Sequence, residues 1–98
     1  MKLMIDFCVV PMGVEGSIAR YVAACQRILD AEGLSYSLHA NGTNVEGEWD
    51  EVMAAVKRCH EVVHDMGAPR ISTSMRLGTR TDRSQSLRDK VESVQALL

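Results

Sequence analysis

The chain has 98 residues, 46% of them hydrophobic and 24% charged, with a formal net charge of −2. That composition suits one globular domain burying roughly two thirds of its unfolded surface, and it excludes disordered and collagen-like classes. The slightly acidic balance argues against nucleic-acid binding through net charge, and no apolar run approaches the ~20 residues of a membrane span.

Residues 3–10 alternate as a strand, with Leu3, Ile5, Phe7 and Val9 on one face and Met4, Asp6, Cys8 and Val10 on the other. Pro11 and Gly13 stop it. Ser17 is the expected N-cap of a first helix with the stripe Ile18, Tyr21, Val22, Cys25, Ile28 and Leu29, closed by Gly33. Residues 35–40 alternate again, Tyr36, Leu38 and Ala40 against Ser35, Ser37 and His39. Asn41-Gly42 signals a turn into a short strand around 44–49. Asp50 is the expected cap of a second helix, whose stripe is Val52, Val56, Cys59, Val63 and Met66, and which ends at Gly67 before Pro69. Residues 70–78 read as a fourth strand, with Ile71, Thr73, Met75 and Leu77 opposite Ser72, Ser74 and Arg76. A last helix starts at Ser86, where Asp89 completes a capping box, and carries Leu87, Val91, Val94 and Leu98.

The order βαββαβ plus a C-terminal helix predicts an α+β, ferredoxin-like sandwich, a single domain over residues 1–98. Two helices cover one face of a four-stranded antiparallel sheet. The other face stays open and carries Asp6, Cys8, His39, Glu46, Glu48, Ser72, Ser74 and Arg76, with Met4 and Val10. A solvated sheet face accounts for much of that pattern; an interface or a polar ligand pocket accounts for it equally well.

His60-Glu61-Val62-Val63-His64 matches the H-E-x-x-H zinc-peptidase signature. However, the core stripe of this helix points about 80° away from His60 and about 120° away from His64 at ~100° per residue. A catalytic zinc also needs a third protein ligand, which the chain does not obviously offer. The pair reads as the solvated edge of an amphipathic helix, and no metal site is expected. Cys25 and Cys59 fall on core stripes as inert thiols of a reducing compartment, while Cys8 shares the open face with His39. Arg76, Arg80, Arg83, Arg88 and Lys90 cluster in residues 76–90, and Glu46, Glu48, Asp50 and Glu51 in 46–51. These are either solvated charge or an anion subsite near a carboxylate subsite; no phosphate-cradling glycine loop is present. Phe7, Tyr36 and Trp49 lie on core-facing register, so RNA binding by base stacking on the sheet is not expected. The N-terminal MKLMIDFCVV is too short for a signal peptide and lacks a small-residue cleavage site, which predicts a cytoplasmic protein.

The string N-G-T-N-V-E-G-E-W-D at 41–50 leads from a turn straight into a helix. Together with P-M-G at 11–13, Ser17, G-A-P-R-I at 67–71, R-T-D at 80–82 and K-V-E-S-V at 90–94, it resembles the thiamine-binding protein family of small, YkoF-like (MTH-type) ferredoxin-like domains. The G-T-x-x-E-G-x-W core is the specific part. This chain has Ala40-Asn41 where members often carry a Pro-Met-like pair.

The resemblance implies a stand-alone domain, assembled as a dimer of dimers, that binds thiamine or its hydroxymethylpyrimidine half without catalysis and without a cofactor. It places a pocket beside the 41–49 hairpin, bounded by the start of the first helix. There Glu46 would accept from the exocyclic amine and offset the thiazolium charge, and Thr43 and Ser17 would serve ring nitrogens. Gly47 would let a flat ring approach, and Arg80 would favour a phosphorylated form. The alternatives are a structural or regulatory homo-oligomer without a small-molecule ligand, and a small enzyme using Cys8 or His39. Neither a nucleic-acid nor a membrane partner is expected.

Overall fold

A computed structural model describes residues 1–98. The elements run β1 (Lys2–Met12), α1 (Ala19–Ala31), β2 (Ser35–His39), β3 (Gly42–Glu48), α2 (Trp49–Asp65), β4 (Arg70–Thr79) and α3 (Leu87–Gln95). The sheet order is β2-β3-β1-β4, with every neighbouring pair antiparallel. β3 lies between β1 and β2, and β1 between β3 and β4, so two βαβ units interlock. This is the ferredoxin-like plan that the element order predicts.

Alternation along β1 decides which face is buried. Leu3, Ile5, Phe7 and Val9 pack beneath α1 and α2 against Val45, Tyr21, Leu29, Val52, Cys59 and Val63. Cys25 and Cys59 are both buried free thiols; contact with Cys25, together with burial, pushes the Cys59 thiol up. Both core helices stop in the same way. Gly33 and Gly67 take positive φ, and the following residues return their N–H groups to Leu29 and Val63, which closes a Schellman turn at each end.

Several local expectations shift. Ser17 lies two residues before α1, and its Oγ accepts the Ala19 N–H at 3.1 Å. Asp50 does not cap α2: the helix starts at Trp49, after Glu48, and places Asp50 and Glu51 in its first turn, where they favour the positive end of the helix dipole. The β2–β3 turn is Ala40-Asn41, and neither residue has positive φ, so it is not the mirror-image turn that Asn-Gly usually marks. Leu38 is on the core register yet 56% exposed, because β2 is the sheet edge. Trp49 is 38% exposed at the head of α2 rather than in the core.

The expected capping box of α3 forms: Ser86 Oγ accepts from Asp89 N, and Asp89 Oδ2 accepts from Ser86 N. None of the helix is buried. The chain's radius of gyration of 14.5 Å exceeds the ~13 Å of a compact chain this long, as expected when an end projects. No helix is long and apolar enough to cross a membrane.

Candidate functional site

β1 pairs with β4 as far as Met12 but with β3 only as far as Phe7. Beyond that point the β3-side edge of β1 has no strand neighbour. A cleft of about 720 Å³ opens there between the start of α1 and the β2–β3 hairpin. Its walls are mostly apolar, with Phe7, Val9, Ile18, Val22 and Leu38 among them. The exposure of Leu38 and Ile18 follows from this position.

The polar groups of the cleft are few and fixed. Gln26, on α1, donates from Nε2 to Thr43 Oγ1 at 3.0 Å. That leaves Gln26 Oε1 buried without a partner. Such an orphaned acceptor is uncommon in a folded protein and carries a desolvation cost unless a donor reaches it. His39, at the end of β2, accepts the Asn41 N–H at Nδ1 (3.2 Å), so its proton sits on Nε2, which donates to Asp6 Oδ1 at 2.7 Å. Asp6 is on β1, one strand beyond β3. The reach across β3 is open because Gly42 stands between them: a Cβ there would lie 2.7 Å from the Phe7 carbonyl oxygen and 3.2 Å from Asp6 Oδ1.

The other oxygen of Asp6 accepts from Arg76 Nη2 at 2.7 Å. A row of His39, Asp6 and Arg76 therefore crosses the open face of all four strands. Arg76 first and His39 second hold the Asp6 carboxyl below the usual carboxylate range. The row also leads into a second cavity, of about 560 Å³, on the open face. Asp6 and Arg76 line this cavity with Lys2, Arg80, Arg83, Lys90 and Asn44, and the 80–87 segment forms its wall.

The five expected site residues are not brought together. Ser17 and Thr43 line the α1–hairpin cleft, although Thr43 is 4% exposed and its hydroxyl is engaged by Gln26. Glu46 points to the opposite face, where Oε2 accepts the Leu87 N–H at 3.0 Å and Oε1 the Ser35 hydroxyl. Gly47 faces inward: a Cβ would meet Leu34 Cδ2 at 3.1 Å and Val52 Cγ2 at 3.2 Å, so the missing side chain makes room for core packing. Arg80 lines the open-face cavity, bound to both oxygens of Asp82 (2.6 and 3.0 Å) and to Gln85 Oε1. That pairing lowers the Asp82 carboxyl. Gln26 is the residue that sequence reading passed over: a polar residue beside Cys25 on an otherwise apolar helix face was its only signal.

His60 is half-buried and His64 exposed, at the solvated edge of α2, and each is anchored by a protein group. His60 Nε2 is 2.6 Å from Thr73 Oγ1 of β4, and His64 Nδ1 donates to the Ala68 carbonyl at 2.8 Å. No third His, Cys, Asp or Glu joins them. No hydrogen bond links Cys8 to His39, although both line the α1–hairpin cleft.

Relatives share this architecture over nearly the whole chain. The UPF0045 protein sll0230 of Synechocystis is 59% identical over all 98 residues, which cover 81% of its own length. A UPF0045 protein of Methanothermobacter thermautotrophicus is 40% identical over 91% of this chain and 92% of its own. Among solved structures, the hypothetical protein MJ1052 of Methanocaldococcus jannaschii superposes with a TM-score of 0.87 at 24% identity, covering 96% of both chains. A candidate thiamine biosynthesis/salvage protein of Thermotoga maritima does so with a TM-score of 0.82 at 21% identity, covering 96% of this chain and 99% of its own. Residues 5–95 match the thiamine-binding protein family, and the chain belongs to it.

Proposed function

We propose that this protein binds thiamine, or its hydroxymethylpyrimidine half, in the cleft between α1 and the β2–β3 hairpin, and that it binds without catalysing a reaction. The observation that carries the reading is the buried, unpartnered Gln26 Oε1 on an apolar-walled cleft. An aminopyrimidine is flat and largely apolar on its faces, and its exocyclic amine supplies the donor that this acceptor lacks. Leu38, Ile18 and Val22 offer the ring a greasy wall, while Ser17 and Asn41 stand at the polar rim. Family membership, and the thiamine assignment of the Thermotoga maritima relative, point the same way. His39 is held at both ring nitrogens, which favours a structural rather than a proton-transferring role.

The proposal includes a cytoplasmic, homo-oligomeric single domain, a tetramer built as a dimer of dimers. Its support is the outer helix and the residues that follow it: Val91 and Val94 on α3 and Leu97 and Leu98 beyond its end are 55–97% exposed, apolar surface that a second copy would cover.

Calorimetric titration of thiamine and of hydroxymethylpyrimidine into the full chain tests the binding reading. Saturable binding by the wild type, weakened about tenfold in Gln26→Met, is expected, because one hydrogen bond in a desolvated cleft is lost. Absence of binding at about 1 mM of either compound defeats it.

A further inference from the structure

We propose that the open-face cavity is a second binding site, for a small phosphate-bearing anion. Five cationic side chains, Lys2, Arg76, Arg80, Arg83 and Lys90, line about 560 Å³ of space, and Asp6 is the one carboxylate among the lining residues. Adding Asp82, which pairs with Arg80, Asp89, which caps α3 nearby, and Glu46, which holds Leu87 on the cavity wall, the local balance is five positive against four negative, or +1. The whole chain carries −2. The positive charge is therefore concentrated here against the sign of the molecule, and concave walls focus such a field on an anion.

The cations divide into two sets. Arg76 and Arg80 are held in place by Asp6 and Asp82, so their guanidinium groups are pre-positioned. Lys2, Arg83 and Lys90 make no ion pair and are available to an incoming charge. Guanidinium forks match the oxygens of a phosphate in a way that favours it over a single carboxylate. The cavity volume is that of a small-molecule site, roughly 300–1,000 Å³. The cavity lining holds no aromatic side chain on which a nucleic-acid base could stack, which favours a compact anion over RNA.

The site is separate from the α1–hairpin cleft, so failure of thiamine binding leaves it standing, and its own failure leaves the thiamine reading standing. The test is calorimetric titration of inorganic pyrophosphate into the full chain at low ionic strength. The expected result is saturable binding that weakens with added salt and weakens at least about tenfold in Arg83→Gln/Lys90→Gln. Those two side chains make no hydrogen bond or ion pair in the fold, so the variant should remain folded, which circular dichroism verifies. Arg27→Gln/Lys57→Gln, which removes the same charge from the helical layer, should bind as wild type does. No binding at about 1 mM pyrophosphate overturns the proposal, as does equal loss in both double variants. Equal affinity for citrate overturns the phosphate assignment, and tighter binding of a single-stranded RNA oligomer overturns the small-ligand assignment.

Discussion

Glu46 Oε2 accepts the backbone N–H of Leu87 at 3.0 Å, a contact between residues 41 apart. Leu87 is the first residue of α3, so its N–H has no partner within the helix. Glu46 satisfies it and places a negative charge at the positive end of the helix dipole. With no buried residue of its own, α3 depends on this tether for its position. Glu46→Ala is expected to weaken the docking of α3 by about 1 kcal/mol. Hydrogen exchange checks it: amides of residues 87–95 should exchange faster than in the wild type while the sheet stays protected. Because Glu46 lies outside the α1–hairpin cleft, thiamine affinity in the same variant should not change.

Thr43 and Gln26 form a buried polar pair whose members fail one without the other. Thr43→Val strands the Gln26 amide and should cost about 1–3 kcal/mol in denaturant unfolding. Gln26→Met strands the Thr43 hydroxyl and should also destabilise. The double variant removes both partners and is expected to cost less than the sum of the two single changes. Strict additivity would show that the pair makes no energetic contribution of its own.

Asp6 links stability to pH. Its folded carboxyl lies below the ordinary value of 3.8, because Arg76 and His39 favour the charged form. A group depressed on folding contributes stability above its unfolded pKa, and that contribution is lost as pH falls through the folded value. Acid unfolding of the wild type should therefore steepen below about pH 4, and Asp6→Asn should flatten that limb. A carboxyl-carbon NMR titration should place the Asp6 midpoint below that of an exposed aspartate; an ordinary midpoint would refute the assignment.

The H-E-x-x-H pair is anchored by protein groups. Replacing His60 and His64 by Ala removes the contact with Thr73 Oγ1 and the bond to the Ala68 carbonyl, at a cost of about 1 kcal/mol each. The fold should survive, and thiamine binding should be retained. Stoichiometric zinc that survives dialysis of the wild type and disappears in this double variant would count against the reading.

The apolar stripe of α3 should mediate assembly. Val91→Ser/Val94→Ser is expected to reduce the mass measured by light scattering at micromolar concentration while circular dichroism stays constant. A monomeric wild type under the same conditions would remove the basis for the oligomer.

The alternation of Leu3, Ile5, Phe7 and Val9, the helix stripes ending at Gly33 and Gly67, and the Ser86–Asp89 box were legible in the sequence because each is a local pattern. Strand period, helix period and cap chemistry are set within a few residues. The same patterns sufficed for the element order, and hence for the ferredoxin-like plan. What each polar residue does was not legible. Glu46 and Gly47 are adjacent in sequence, yet strand pleating sends one to the open face to hold Leu87 and the other into the core against Leu34 and Val52. The missing neighbour of β1 beyond Phe7, which opens the cleft, depends on where β3 begins relative to β1. The His39–Asp6–Arg76 row depends on the registers of three strand pairs, and the Gln26–Thr43 bond on how α1 lies over the sheet. Local sequence determines the elements and their buried faces; the pairing of distant strands determines which polar groups meet.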